Sequence, residues 1–326
     1  MVRTKIIATG HYAPEKVLTN YDIEKIVDTS DEWITERTGI KERRITPTHQ
    51  STSYLAYEAS IRALRKAGLS GADLDLIVVA TISGDMPFPS TACFLQGYLD
   101  ARSAAAFDIN ATCSGFIYGL SIANCFIRSG QYRRILLVGA EILSRFTDWE
   151  DKTTCVLFGD GAGAAVLEPT TGESGIIAVD LYSDGSQWEL INLPGGGSKN
   201  PSTQETAMNR LHFIKMRGNE TFKFAVKTLE MLAVETLEKN NLAPSKLSAL
   251  VPHQANLRII QATAKRLGLP MDKVVVNIDR YGNTSAASIP IALDEAVENG
   301  RIKEGDYILL EAFGGGLTWA SALIKW

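Results

Sequence analysis

The sequence predicts an α/β fold built from two duplicated halves, residues 1–172 and 173–326. Amphipathic helical segments alternate with short apolar runs along the chain, a pattern typical of parallel sheets covered by helices on both faces. The helix-like stretch 56–69 leads into the strand-like LDLIVVA. About 173 positions later, the helix-like stretch 225–242 leads into the strand-like LSALVPH, so the same unit occurs twice.

The repeat continues through the rest of each half. The segments AFDINATCSGF (106–116) and VVVNIDRYGNTSAAS (274–288) each predict a strand, a turn and the start of a helix. The strand-like RILLVGAE and DYILLEAF then close the first and the second half. A shift of about 170 positions brings Cys113 onto Asn283. Similar offsets at four successive features of the two halves favour a duplication over the alternation of strands and helices that any α/β protein shows.

Composition narrows the class of protein. The chain has 326 residues, of which 45% are hydrophobic and 21% charged, and its net charge is −4. It can therefore form a large core and has no basic excess for binding nucleic acid. No apolar run approaches the ~18 residues of a membrane span, and the N-terminal segment lacks a signal peptide's apolar stretch. The 4 cysteines lack metal-ligand spacing, so we expect a reduced, cytoplasmic protein without a metal site.

Cys113 is the candidate nucleophile. It follows the strand-like FDIN and precedes Ser114 and Gly115, which open a helix. A thiol at a helix N-terminus lies near the positive end of the helix dipole, and we expect this position to favour the thiolate. The alternative is that the cysteine is an inert, buried small residue, the role we assign to the other three cysteines.

Two further polar side chains stand where predicted strands of the second half end. His253 ends the strand LSALVPH, and Asn283 lies in YGNTSAAS, a segment too small and polar to be chosen for core packing. Because α/β sheets bind ligands at the carboxyl ends of their strands, we expect Cys113, His253 and Asn283 to converge. The three glycines 314–316 follow another strand, and their backbone N–H groups suit an oxyanion hole.

Four separated segments carry a resemblance to a known family: ATCSGF around Cys113, PHQAN around His253, YGNTSAAS around Asn283, and EAFGGG near the C-terminus. Together they resemble β-ketoacyl-acyl-carrier-protein synthase III, the initiating condensing enzyme of type II fatty-acid synthesis. The resemblance runs from the first strand to Trp326. It implies the thiolase-like fold, in which two duplicated α/β halves form a layered αβαβα architecture.

The resemblance also implies a mechanism without a cofactor, in which coenzyme A enters only as the substrate thioester. Cys113 would attack a short acyl-CoA, acetyl-CoA foremost, and hold the acyl group. His253 and Asn283 would stabilise the enolate that forms when malonyl-acyl-carrier protein loses carbon dioxide. The N–H groups of Cys113 and Gly315 would hold the oxyanion. Asparagine at position 283 is typical of this subclass, whereas elongating synthases carry a second histidine there.

Binding residues are implied by the same resemblance, position by position. A coenzyme A site is implied at Trp33, Arg37, Lys152, Asn219, Phe222 and Asn256. Trp33 and Arg37 would clamp the adenine, whereas Lys152 replaces an arginine of several relatives and leaves a point charge near the phosphates. A docking surface for the acidic carrier protein is implied at Lys223, Arg258, Lys265 and Arg266.

The acyl pocket is implied at Phe88 and Leu157, with Phe88 reaching across a homodimer into the partner's pocket, where a large ring favours short primers. A specialised acyltransferase or a starter-unit synthase of secondary metabolism is the nearest alternative, because it would use the same three side chains. A cysteine hydrolase using Cys113 and His253 is the alternative from another class. A thiolase would need a second cysteine near Gly314, where the sequence has none.

Overall fold

The computed structural model describes residues 2–326. The strands are β1 (Arg3–Tyr12), β2 (Val17–Thr19), β3 (Glu42–Arg44), β4 (Leu76–Ala80), β5 (Ala105–Ile109), β6 (Ile135–Ile142), β7 (Asp160–Thr170), β8 (Gly175–Ser183), β9 (Ile191–Asn192), β10 (Lys215–Met216), β11 (Ala249–Pro252), β12 (Tyr307–Gly314) and β13 (Thr318–Lys325). The helices are α1 (Asn20–Ile23), α2 (Asp31–Thr38), α3 (Thr52–Ala67), α4 (Thr91–Tyr98), α5 (Gly115–Ser129), α6 (Gln204–Met208), α7 (Gly218–Lys239), α8 (Leu257–Leu267), α9 (Ile278–Tyr281) and α10 (Ser288–Glu298).

The first sheet contains five strands in the order β1-β7-β6-β4-β5. Strands β6, β4 and β5 run parallel, whereas β7 and β1 run antiparallel to their neighbours. The prediction of a parallel sheet is therefore wrong for β7 and β1. The physical reason is the connection from β6 to β7 through residues 143–159, which contains no crossover helix and so returns the chain in the opposite direction.

The second sheet repeats this arrangement with the order β11-β12-β13-β8. Strands β11 and β12 are parallel, and β13 and β8 are antiparallel to their neighbours. The predicted strand at 274–277 is reduced to a single parallel bridge between Leu250 and Val274. The Arg301 guanidinium donates to the Val274 carbonyl at 3.0 Å, so the outer side of this segment is closed to further pairing.

Helices fill the space between the two sheets and cover both outer faces. Residues of α5 and α10, such as Leu120 and Leu293, pack in one core with strands of both sheets. Helices α3 and α4 cover the outer face of the first sheet, and α7 and α8 cover that of the second. The order helix, sheet, helix, sheet, helix confirms the predicted αβαβα architecture.

The two helix-start turns correct the alignment of the duplicated halves. A 3₁₀ turn at Thr112–Ser114 leads into α5, and a second at Ser285–Ala287 leads into α10. Thr112 and Ser285 share a left-handed backbone, with φ of 47° and 48°, and they stand about 173 residues apart, as the earlier helices and strands do. The counterpart of Cys113 is therefore Ala286. The predicted equivalence with Asn283 is wrong, because Asn283 lies three residues before that position.

Within residues 2–326, no helix combines the length and the apolar character that crossing a membrane requires.

Candidate active site

Two cavities meet at Cys113. The larger has a volume of about 440 Å³ and extends from the exposed Trp33 to Cys113, His253 and Asn283. The smaller has a volume of about 320 Å³ and shares Cys113 and Asn283 with the larger one. The structure thus brings the three side chains selected from the sequence onto the wall of one cavity, beyond the carboxyl ends of the parallel strands.

Cys113 occupies the 3₁₀ turn between β5 and α5, and its thiol lines both cavities. Burial raises the pKa of this thiol to about 12, and the negative charge of Glu141 acts in the same direction. Desolvation therefore opposes the thiolate that the helix N-terminus was expected to favour.

His253 directly follows β11 and is 4% exposed. Burial lowers the pKa of its imidazole to about 3, so the ring is neutral at physiological pH. Its Nδ1 lies 2.6 Å from Oγ of Ser288 on α10. The Gln254 N–H donates to the same oxygen at 3.4 Å, and the Ser288 hydroxyl has its own proton to give to Nδ1. We assign it as the donor in this bond, which places the ring proton on Nε2 and makes that nitrogen a donor.

Asn283 is fixed through its backbone and through its own side chain. Its N–H donates to the Leu157 carbonyl at 2.8 Å, and its carbonyl accepts from the Gly159 N–H at 3.0 Å. The side-chain Oδ1 accepts from the Ser285 N–H at 2.9 Å. This bond assigns the orientation of the amide and leaves its Nδ2 group free to donate into the cavity.

The glycine loop after β12 packs against the turn that carries Cys113. Thr112 Oγ1 donates to the Gly315 carbonyl at 2.8 Å. A Cβ on Gly314 would lie 2.7 Å from the Cys113 nitrogen, so this approach requires glycine. Among the described residues, no backbone carbonyl accepts the N–H of Cys113 or of Gly315. Both N–H groups are therefore available to the oxygen of a tetrahedral intermediate.

Five of the six residues predicted to bind coenzyme A line the larger cavity: Trp33, Arg37, Asn219, Phe222 and Asn256. The Arg37 guanidinium lies 4.9 Å from the centre of the Trp33 ring, so the two groups stack on each other, and a planar base can enter between them only if they move apart. Asn256 caps α8 and donates to the Arg37 carbonyl, so its amide joins two walls of the cavity. Lys152 is exposed and does not line the cavity.

The smaller cavity is lined mainly by apolar side chains that the sequence analysis did not select. They are Ile82, Leu143, Phe146, Phe158, Leu193 and Ile214. These residues come from separate segments that no periodic pattern connects, so the sequence offered no signal for them. Leu157 packs against the same apolar cluster but lines the larger cavity. Phe88 is 83% exposed and lines neither cavity of this chain.

The four residues predicted to dock the carrier protein are exposed: Lys223, Arg258, Lys265 and Arg266. Lys223 and Arg258 also line the larger cavity, and the Arg258 guanidinium lies 5.2 Å from the centre of the Phe222 ring. Lys265 and Arg266 occupy the last turn of α8, roughly 12 Å further along the helix axis. The basic surface therefore begins at the cavity and continues away from it.

Comparisons with known proteins agree with this geometry. Residues 107–185 match the family model 3-oxoacyl-[acyl-carrier-protein (ACP)] synthase III, and residues 237–326 match the model of its C-terminal part. A β-ketoacyl-[acyl-carrier-protein] synthase III of Caldanaerobacter subterraneus is 57% identical, over 98% of this chain and 97% of its own. The crystal structure of the Aquifex aeolicus synthase III has a TM-score of 0.92 at 52% identity, covering 99% of this chain and 100% of that one.

A priming β-ketosynthase from the R1128 polyketide pathway is also similar, with a TM-score of 0.91 at 35% identity, over 99% of this chain and 96% of that one. The duplicated αβαβα fold, with a cysteine, a histidine and an asparagine around one cavity, defines a condensing enzyme of the thiolase fold. The chain belongs to the β-ketoacyl-acyl-carrier-protein synthase III family, and it is an acyltransferase of the condensing type.

Proposed function

We propose that this enzyme condenses a short acyl-CoA, acetyl-CoA foremost, with malonyl-acyl-carrier protein. The products are a 3-ketoacyl-acyl-carrier protein, coenzyme A and carbon dioxide, and the reaction initiates type II fatty-acid synthesis. The observation that carries this proposal is the pair of neutral donors beside the Cys113 thiol. His253 presents Nε2–H because Ser288 holds Nδ1, and Asn283 presents Nδ2 because the Ser285 N–H holds Oδ1.

The first half-reaction loads the acyl group onto Cys113. The nucleotide end of the acyl-CoA binds at Trp33 and Arg37, which separate from their mutual contact to clamp the base, and the pantetheine extends through the larger cavity to the thiol. The sulfur attacks the thioester carbonyl, and the N–H groups of Cys113 and Gly315 hold the oxyanion. Coenzyme A leaves, and the acyl chain lies in the smaller apolar cavity.

The second half-reaction uses the two neutral donors. The malonyl thioester binds in the space that coenzyme A has left, and His253 and Asn283 donate to its carbonyl oxygen. As carbon dioxide leaves, negative charge moves onto that oxygen, and donors already aimed at it need no reorganisation. Neutral donors suit this step. A permanently charged group would also bind the malonyl carboxylate before it reacts, and it would therefore stabilise the ground state as well as the transition state. The resulting carbanion attacks the acyl-Cys113 thioester.

We also propose that the carrier protein docks on the basic surface formed by Lys223, Arg258, Lys265 and Arg266. None of these four cations forms an ion pair within the described chain, so their charge is available to an acidic partner. Lys223 and Arg258 stand at the cavity itself, where the phosphopantetheine arm would enter.

A homodimer is part of the proposal. Strand β5 forms an edge of the first sheet, and its residues are half-buried or exposed, so a second copy can pair with it. Phe88 and Met86, two positions apart in the chain, are 83% and 48% exposed, and a second copy would cover both side chains. The contact proposed for Phe88 in an acyl pocket requires this second copy.

The chain is proposed to divide by function at residues 172 and 173. The first half, 1–172, carries the nucleophile Cys113, and the second half, 173–326, carries His253 and Asn283. The chain leaves the first sheet at Thr170 and enters the second at Gly175, which supports this boundary.

Intact-mass measurement against a panel of acyl-CoAs tests the proposal. With acetyl-CoA alone we expect one stable acyl adduct that Cys113→Ala lacks, and with malonyl-acyl-carrier protein a 3-ketoacyl product. Continuous release of free acid would instead support a cysteine hydrolase. Because of the likeness to the R1128 priming synthase, a starter-unit synthase is the second candidate. Faster loading of a longer or branched acyl-CoA than of acetyl-CoA would favour it.

A further inference from the structure

The segment between β9 and β10, residues 193–214, forms part of the wall of the smaller cavity, and we call it the strap. Two of its residues, Leu193 and Ile214, line that cavity. The strap is fixed at its base by β9 and β10, which pair through two residues each. All of the strap is described, and Ile214 is its one buried residue. A segment with so few buried apolar contacts is held in place by specific bonds and not by a core of its own.

One ion pair clamps the strap to the body of the enzyme. Arg210 of the strap binds Asp148, which lies in the connection between β6 and β7. Its Nε donates to Asp148 Oδ2 at 3.0 Å, and its Nη2 donates to Oδ1 of the same carboxylate. Such a two-point bond fixes direction as well as distance. Arg210 also adopts a left-handed backbone, with φ of 56°, so the chain is held in an uncommon conformation at the point where it meets Asp148.

The ion pair lies beside the wall of the cavity. Asp148 stands two residues after Phe146, and Arg210 stands four residues before Ile214. The Ile214 N–H donates to the Phe146 carbonyl at 2.8 Å. The side chains of Phe146 and Ile214 belong to one apolar cluster, and both line the smaller cavity. The ion pair and this backbone bond therefore act together to hold Ile214 against Phe146.

Few hydrogen bonds and ion pairs connect the strap with the rest of the enzyme. Among the described residues, they are the backbone bond of Ile214 and the contacts of Arg210 with Asp148 and Glu150. The Glu150 side chain is 79% exposed, so water screens its pairing with Arg210. The Asp148 side chain is 6% exposed, and loss of Arg210 would leave Lys215, at 3.8 Å, as the one cation paired with it in the described chain. A buried charge that loses its close partner is unfavourable, so movement of the strap that admits water would relieve it.

We propose that the Arg210–Asp148 pair limits the length of the acyl group that Cys113 accepts, because it keeps the strap closed on the smaller cavity. This inference rests on the proposed function and concerns the acyl group of the same site. The cavity, at about 320 Å³, is at the lower end of the range of ligand pockets, so a long acyl chain needs the wall to move. Arg210 and Asp148 line neither cavity. They are therefore positioning residues, which act through Ile214 and Phe146.

The test measures, by intact mass, how fast acetyl-CoA and dodecanoyl-CoA each load Cys113 of the full-length enzyme. The quantity compared is the ratio of the dodecanoyl rate to the acetyl rate. We expect Arg210→Ala to raise this ratio at least ~10-fold, because the long chain gains room that the acetyl group does not use. Asp148→Asn should raise it by a similar factor, and the double variant should exceed neither single variant by much. Arg210→Lys should restore part of the wild-type ratio, since an ammonium group keeps the charge but not the two-point bond.

The matched control is Glu189→Gln, which breaks a different ion pair at the base of the strap. The Arg217 guanidinium lies 2.8 Å from the Glu189 carboxylate, and both side chains are more than half exposed. This pair joins the two chain segments that flank β9 and β10, and it does not reach Asp148. The loading ratio of the variant should therefore stay within about twofold of the wild-type value. Decarboxylation of malonyl-acyl-carrier protein should stay close to wild type in Arg210→Ala, because the two donors are not part of the strap.

The proposal is overturned if the ratio in Arg210→Ala stays within about twofold of the wild-type value, or if acetyl and dodecanoyl loading fall together, as a general distortion of the site would cause. An equal rise in Glu189→Gln would also overturn it, because the ratio would then respond to the loss of any charge near the strap. If Asp148→Asn does not fold, Arg210→Ala and Arg210→Lys carry the test. If the wild-type enzyme takes no acyl group from any acyl-CoA, the proposed function has failed and this inference fails with it. Adducts with an unchanged ratio overturn this inference alone.

Discussion

The turn before α5 and the turn before α10 have the same backbone and carry different chemistry. In the first, Asn110 Oδ1 accepts from the Thr112 N–H at 3.4 Å; in the second, Asn283 Oδ1 accepts from the Ser285 N–H at 2.9 Å. Both turns then pass through a left-handed residue before the helix begins. At the next position, however, the first turn has the thiol of Cys113, and the second has only a methyl group.

The difference extends to the strands beside these turns. In the first half, Gly115 at the start of α5 packs against Ala80, and a Cβ on the glycine would lie 3.0 Å from that of the alanine. In the second half, Ser288 at the start of α10 hydrogen-bonds with His253. The two halves therefore share a backbone frame and differ in side chains: the proposed nucleophile lies in the first half, and the proposed donors lie in the second.

The largest expected effect comes from moving the thiol to its symmetric position. Cys113→Ala should lower acylation at least ~10⁴-fold, because no other group can form the acyl-enzyme. Adding Ala286→Cys should not restore it, since Ala286 is 1% exposed and lines neither cavity. Intact-mass spectrometry after incubation with acetyl-CoA measures both. An acyl adduct on the double variant would show that the two turns are chemically equivalent.

The second test removes the donors. We expect His253→Ala and Asn283→Ala each to lower decarboxylation of malonyl-acyl-carrier protein by about 10²–10³-fold, the cost of losing one preorganised donor. Acylation by acetyl-CoA should fall much less. Release of carbon dioxide and of coenzyme A, measured separately, gives the two rates.

The matched comparison is Asn110→Ala, which removes the amide at the equivalent position of the first half. Its effect on decarboxylation should be at least tenfold smaller than that of Asn283→Ala. Equal losses in the two asparagine variants would mean that the amide stabilises the turn and does not act on the substrate.

The third test concerns packing between the halves. Gly139 on β6 approaches the turn before α10 so closely that a Cβ would lie 2.2 Å from the Ala286 carbonyl oxygen. Because backbone cannot yield as a flexible side chain does, we expect Gly139→Ala to lower the free energy of unfolding by about 1–3 kcal/mol. Denaturant unfolding followed by circular dichroism measures this change. An unchanged midpoint would show that β6 and this turn can separate without cost.

Much of this arrangement could be predicted from the sequence because it follows local patterns. The alternation of strands and helices indicated the layered fold. The position of polar residues at strand ends selected Cys113, His253 and Asn283 as candidates, and all three line one cavity. The alignment of the halves failed at Asn283, because a shift of a few residues is invisible until two left-handed turns, at Thr112 and Ser285, define the register.

Other parts of the site depend on contacts between distant segments, which no pattern within one segment records. The apolar lining at Leu143 and Ile214 is of this kind. The pKa of Cys113 could not be predicted from the sequence either, because it depends on desolvation of the thiol in the folded chain. Burial is a property of the whole packed structure.

The smallest expected effect concerns Ser288, which occupies the place of Gly115 in the second half. Ser288→Ala removes the hydrogen bond that fixes the His253 tautomer, and a neutral hydrogen bond contributes about 0.5–1.5 kcal/mol. We therefore expect decarboxylation to slow by roughly 3- to 10-fold, while acylation of Cys113 stays close to wild type. Ser288→Thr, which keeps the hydroxyl, should recover part of the rate. If Ser288→Ala instead slowed both half-reactions equally, the serine would serve to pack α10 against β11, and the tautomer of His253 would have to be set by another contact.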